Sequence, residues 1–239
     1  KRNFSKLRGK ISLRKRRPCE NGDLMKVISF CLWGNDSKYT IGAIKNSLLA
    51  PEVYPGWECF FYCANCVSDD VVRELQKNAK VIRCEKMGDW KFTVERFKAI
   101  DIPEVTHVIF RDTDSRLNKR ESLAVSEWLS SDKTLHIMKD HPHHGGFPIL
   151  AGMWGINKKK FNLNMSDMLS FYQNSVQYHY DQIFLRDYVW RFFDTDFIAH
   201  DEFFLNSPYP SKRNGTEYVG KPFNADDTPS LPDDERYFT

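Results

Sequence analysis

Four apolar runs of strand length, separated by segments with helical spacing, constrain the fold of this chain more than any other feature. They are MKVISFCLW (25–33), WECFFYCAN (57–65), KVIRCE (80–85) and THVIFRD (106–112). The first is continuously apolar rather than alternating, the pattern of a strand buried on both faces, as in a parallel sheet. Between the first two, Ile41, Ile44 and Leu48 recur at helical spacing; Asp36 or Ser37 can cap the start and Pro51 is expected to stop the helix. Ser68 opens a second helix with acids in its first turn, where they suit the helix dipole. A third helix is expected over 89–101. The order β-α-β-α-β-α-β implies an α/β fold with a Rossmann-like, mostly parallel sheet and helices on both faces.

The second half is less regular. A helix at 120–131 leads to a strand at 134–140, a loop HPHHGG (141–146) and an apolar run FPILAGMWGIN (147–157). Met165, Met168, Leu169 and Tyr172 make one helical stripe; Leu185, Val189 and Phe192 make another on a helix starting near Asp181. After Phe204, Pro, Asn, Asp and Ser dominate. These boundaries divide the 239 residues into a basic arm (1–22), a main domain (23–205) and an irregular tail (206–239).

Charge is uneven. Residues 1–19 hold nine Lys and Arg and no acid, so the remaining 26 basic and 32 acidic residues sum to −6. The arm reads as a solvated leader or as an anchor to an acidic surface such as anionic lipid; nucleic acid is not the expected partner of the acidic domain. No apolar run reaches the roughly 20 residues of a membrane helix. All six cysteines precede residue 85, and CANC has no second ligand pair at zinc-finger distance. The expectation is free thiols in a reducing, cytoplasmic compartment.

The fourth strand ends in RDTDSRL, which sets Asp112 and Asp114 one residue apart. Two carboxylates that close repel and are costly to bury. They make either a polar turn or a site for a divalent cation. In an open parallel sheet, ligands bind outside the carboxyl ends of the strands. The turn after the first strand, with Asn35 and Asp36, lies at that same end. There is no G-x-G-x-x-G after the first strand and no G-x-x-x-x-G-K-[ST], which disfavours a dinucleotide dehydrogenase and a P-loop enzyme. His141, His143 and His144 lack an acidic partner at helical spacing, and Pro142 with Gly145 and Gly146 makes a loop, which disfavours a zinc hydrolase.

Six pieces then occur in one order: WGNDSKY, VERFKAI, RDTDSRL, PILAGMWGIN, HYDQIFL and IAHDEFF. Together they resemble the GT-A fold glycosyltransferases with a D-x-D motif, especially the retaining, glycogenin-like and bacterial galactosyltransferase-like enzymes. The similarity spans about 25–205. It departs from the family at Ile183, where a second acid is usual, and at Leu150, where asparagine is usual.

The resemblance implies a metal-dependent transferase that takes a sugar from a nucleotide-sugar donor, UDP-sugar first, to a glycan or other hydroxyl acceptor. It implies Asp112 and Asp114 as ligands of Mn²⁺ or Mg²⁺ and of the donor, with His200 completing the shell and favouring Mn²⁺. It places Asn35 and Asp36 at the nucleoside, Arg96 near the diphosphate or Asp112, and Asp181 and Gln182 on the reactive face of the sugar. Asp181 also reads as a helix cap. Asp140 is the candidate general base if the reaction inverts. A nucleotidyltransferase, and a non-catalytic module binding sugar nucleotides or nucleic acid, are the alternatives.

Overall fold

The computed structural model describes residues 24–86, 88–161, 163–172 and 179–238. The basic arm lies outside them. Strands β1 (Met25–Leu32), β2 (Trp57–Ala64), β3 (Lys80–Cys84), β4 (Val105–Arg111), β5 (Leu135–Lys139), β6 (Met153–Asn157) and β7 (Phe197–Asp201) form one seven-stranded sheet in the order β3-β2-β1-β4-β6-β5-β7. β6 is antiparallel to β4 and β5, and all other neighbours run parallel. The carboxyl ends of β1, β2, β4, β5 and β7 therefore share one edge with the start of β6.

The helices are α1 (Ser37–Val53), α2 (Asp69–Leu75), α3 (Lys119–Ser130), α4 (Met165–Phe171) and α5 (Tyr180–Phe184), which continues through a π-turn at Leu185–Trp190. The expected helix over 89–101 is a 3-10 helix, Trp90–Asp101. Side chains three apart eclipse in that geometry, so Val94, Phe97 and Ile100 form one buried ridge. Phe97 packs edge-on against Phe110 (5.2 Å) and Trp154 (5.4 Å). Alternation along β1 and β4 divides the core. Val27, Val108 and Phe110 face this 3-10 helix and α5, while Ile28, Phe30 and Ile109 face α1 and α3. No helix among the described residues is long and apolar enough to cross a membrane.

Two details of α1 differ from the sequence reading. The helix runs past Pro51 to Val53. Its buried face is Thr40, Gly42, Ala43, Asn46, Ser47 and Ala50, while Ile41 and Leu48 are exposed at 38% and 59%. Small residues face inward because the helix lies against backbone. A Cβ on Gly42 would stand 2.1 Å from the Thr113 carbonyl. One turn later, Asn46 Nδ2 donates to the Ser115 carbonyl (2.8 Å), and Asn46 Oδ1 accepts from Leu117 N (3.0 Å). Helix α1 thus clamps the turn after β4.

Gly42→Ala is expected to destabilise the protein by about 1–3 kcal/mol, because overpacking against backbone leaves no flexible atom to yield. Thermal melting of the purified variant measures it; an unchanged Tm would mean that α1 can shift away freely.

Candidate functional site

The turn after β4 carries Asp112 and Asp114 at the shared edge of the sheet. Asp112 is half exposed and Asp114 mostly buried; each has its own cation. Arg96 Nη1 lies 2.5 Å from Asp112 Oδ1, and Lys38 Nζ lies 2.9 Å from Asp114 Oδ2. Burial, and then the charge of Asp112, raise the Asp114 pKa. Asp112 depends on a glycine as well. Gly152 precedes β6, and a Cβ there would overlap Asp112 Oδ2 at 2.0 Å. The first glycine in PILAGMWGIN is therefore part of the Asp112 pocket.

Arg96 projects from the 3-10 helix and is 1% exposed. It donates to the Arg111 carbonyl (2.9 Å), to Asp112, and to Asp181 Oδ2 (3.2 Å). Burial opposes its charge, but Asp112, Cys31 and Asp181 outweigh that and raise its pKa. Asp181 is buried, which raises its pKa, while Arg96 lowers it. It is not the cap of α5. His179 holds that position with φ +66°, and Asp181 Oδ1 accepts from Gln182 N (2.9 Å). Gln182 Nε2 contacts His179 Nδ1 (3.1 Å), and its Oε1 is buried with no hydrogen-bond partner among the described residues. The structure thus gathers Asp112, Asp114, Arg96, Asp181 and Gln182.

Asn35 and Asp36 lie at the same edge in structural roles. Asn35 bridges two loops, donating to the Cys66 carbonyl (3.1 Å) and accepting from Ser68 N (3.0 Å). Asp36 caps α1 through Lys38 N (2.9 Å). The described cysteines are free.

Two expected residues are placed elsewhere. His200 is buried on β7, with Nδ1 2.8 Å from His136 Nε2 and Nε2 3.4 Å from Glu127 Oε2. Both nitrogens are engaged by groups other than the carboxylate pair, because β7 lies beyond β6 and β5 from β4. It is a packed histidine and not the third ligand of Asp112 and Asp114. Asp140 is fully buried. It accepts from Arg120 Nε and Nη2 (2.9 Å each), Arg213 Nη2 (2.7 Å) and Val219 N (2.9 Å). With both oxygens occupied and no surface for a hydroxyl to approach, Asp140 anchors the tail rather than serving as a base.

The tail itself was missed as part of the site. Phe223 N donates to the Asp114 carbonyl (2.8 Å), and Pro222 bridges Ser115. Asp227 pairs with Arg116 and Lys45, which fastens residues 222–227 over the carboxylate turn. A spacing search could not find this, since the partners lie over 100 residues apart.

The histidine loop acquires an acid from the tail. His141, His143 and Asp234 bring ligand atoms within 4.8 Å of one another. The hydrogen bonds argue against a metal there. His141 Nδ1 accepts from His143 N (3.1 Å), so the neutral ring carries its proton on Nε2, which faces the Asp234 carbonyl at 3.4 Å. A cleft of about 530 Å³ lies between the 3-10 helix and α4, lined in part by Lys86, Lys98 and Tyr180. It includes neither carboxylate.

No protein-family profile and no curated protein matches the chain. Solved structures do. A glycosyltransferase involved in glycosylating the major capsid of PBCV-1 superposes at TM-score 0.52 and 14% identity, over 76% of this chain and 83% of that one. The fold is that of a GT-A glycosyltransferase. The galactosyltransferase LgtC, solved with donor and acceptor sugar analogues, aligns at TM-score 0.48 and 16% identity over 74% of each chain. The 4-diphosphocytidyl-2C-methyl-D-erythritol synthase of Anaerococcus prevotii aligns at 0.47 and 12% identity, over 74% of this chain and 87% of that one.

His144 is expected to make this GT-A fold sensitive to acid. Its Nδ1 accepts from Asp140 N (3.0 Å). Burial, then the neighbouring His141 and Lys139, push its pKa from 6.5 to about 3. The unfolded chain takes up this proton near 6.5 while the native state refuses it, so stability is full above that pH and is lost as pH falls toward 3. Tm is expected to drop between about pH 7 and pH 4. His144→Asn should lose less over that interval, whatever its starting Tm; equal slopes would show that His144 does not contribute.

Proposed function

We propose that the chain is a metal-dependent glycosyltransferase, moving a sugar from a nucleoside diphosphate donor, most simply a UDP-sugar, to a hydroxyl on a glycan. One observation carries the reading: in a GT-A fold, Asp112 and Asp114 stand together at the ligand edge, with Arg96 joining Asp112 to Asp181.

The residues suit a hard cation. Asp112, Asp114 and Asp181 are set against Arg96 and Lys38, so three carboxylates face two cations and one negative charge is left over. Two carboxylates with phosphate and water oxygens would complete a shell for Mg²⁺ or Mn²⁺. With His200 elsewhere, the basis for preferring Mn²⁺ is gone. The bound ion would stabilise charge developing on the leaving diphosphate. Gly152 keeps the space that Asp112 occupies, and Arg96 holds its carboxylate in place. Lys38 holds that of Asp114. In this reading the nucleoside rests on the Gly34–Asp36 turn, which the Asn35 bridge stiffens.

Asp181 and Gln182 face the sugar. The Asp181 carboxylate steadies positive charge developing at the anomeric carbon, with Gln182 beside it on α5. We adopt retention of configuration, because inversion rested on Asp140 as base and Asp140 is enclosed by Arg120 and Arg213.

Asp112→Asn and Asp114→Asn are expected to abolish release of nucleoside diphosphate from a nucleotide sugar while the protein stays folded. Gly152→Ala should weaken UDP binding in the presence of Mn²⁺ or Mg²⁺ by about tenfold or more, an overlap cost above 1.4 kcal/mol. Calorimetry on folded variants, with and without chelator, tests both. Undiminished turnover in either Asn variant would sink the metal assignment.

Asp181→Asn preserves size and the bond to Gln182 N but removes a charge. A loss of about 10²–10³ in kcat is expected if that charge faces the sugar. A loss under about threefold would leave Asp181 as a partner of Arg96 only. Product anomers resolved by NMR test retention.

A further inference from the structure

Beyond β7 the chain makes a tight turn that presents apolar side chains outward. Asp201, itself fully buried, takes Phe203 N (3.1 Å) and Phe204 N (2.9 Å) on Oδ1, and its backbone pairs with Ser207. This fixes Phe203, Phe204 and Leu205 in place, yet they remain 39%, 47% and 53% exposed. Rigidly held, contiguous apolar exposure marks a binding surface more often than isolated surface residues do.

The turn lies at the ligand edge on the outermost strand and reaches the histidine loop. β7 is parallel to β5, so Phe204 emerges at the ligand edge next to the histidine loop. A Cβ on Gly145 would be 3.1 Å from the Phe204 ring, so the loop lies directly against it. Two residues on, Phe147 packs on His179 (5.4 Å), and His179 contacts Gln182 (3.1 Å). A continuous line of contacts therefore runs from Gln182 to Phe204. Cations accompany both rings, with Lys139 Nζ over Phe204 at 5.2 Å and Arg213 over Phe203 at 5.9 Å, Phe238 lies 6.3 Å from Phe203, and a half-exposed His143 stands farther along the loop.

We propose that the Phe203–Phe204 turn is a stacking platform for a pyranose ring of the acceptor. The inference rests on the transferase reading and assigns the place where its glycan acceptor rests. A pyranose has an apolar C–H face that suits an aromatic ring and hydroxyls that need polar neighbours, and the turn offers both within one side-chain length. A protein partner would cover about 20–30 residues, far more than this strip of three.

The test uses the full chain and simple methyl pyranosides of glucose, galactose and mannose, observed by saturation-transfer NMR with irradiation of aromatic protons. Transfer to the ring C–H protons is expected, and it should fall at least fivefold in Phe203→Ala and Phe204→Ala. Both side chains are exposed, so Tm should hold. UDP binding with Mg²⁺ or Mn²⁺ is measured on the same samples and should not change. No transfer to any pyranoside, or equal transfer in both variants, overturns the platform even if UDP binds. A concentration-dependent dimer that dissociates in the variants also overturns it, by assigning the strip to a second copy. Loss of UDP binding with pyranoside transfer intact would sink the donor reading and leave the platform standing.

Discussion

The site depends on one buried guanidinium. Arg96 has almost no surface of its own and sits between Asp112 on the β4 turn and Asp181 on α5. Removing either carboxylate would leave a buried charge short of a partner, and removing Arg96 would leave two carboxylates facing one another. Because its backbone carbonyl accepts from Ser29 Oγ (2.8 Å), the 3-10 helix that carries it is tied to β1. Arg96 adds a charged link between two halves of the chain that the sheet and the core also join.

Around that centre, close approach is bought with glycine. Gly42 lets α1 touch the carbonyl of Thr113, and Gly152 lets β6 begin beside Asp112. In both places the neighbour is either backbone or a charged group already held by a cation, so neither can move cheaply. The result is a turn clamped from one side by a helix and from another by a strand. Such rigidity keeps the two carboxylates side by side despite their repulsion, which Arg96 and Lys38 offset.

The tail changes the meaning of several residues. Asp140, which looks like an accessible acid after a strand, is the point where Arg120, Arg213 and the backbone of Val219 meet. His141 and His143 acquire Asp234 as a neighbour, and Asp114 acquires Phe223. These contacts lay the tail along the ligand edge from Asp114 to the histidine loop and on to Phe203, whose ring lies 6.3 Å from that of Phe238.

The sequence by itself determined the parallel first half of the sheet and the position of the carboxylate pair at its edge, which follow from strand and helix periods, capping, and the repulsion between Asp112 and Asp114. Arg96 and Asp181 beside the pair were implied only by the order of motifs shared with the GT-A family. It misjudged the face of α1, because period alone cannot tell that a helix must approach backbone closely and so turn Gly42 and Asn46 inward. Only tertiary structure decided the fates of His200 and Asp140. Motif order suggested a ligand and a base, but strand order put His200 beside His136, and a tail over 70 residues away put Arg213 onto Asp140. A side chain's role depends on what lies within a few ångströms, and for these two residues every deciding neighbour is distant in sequence.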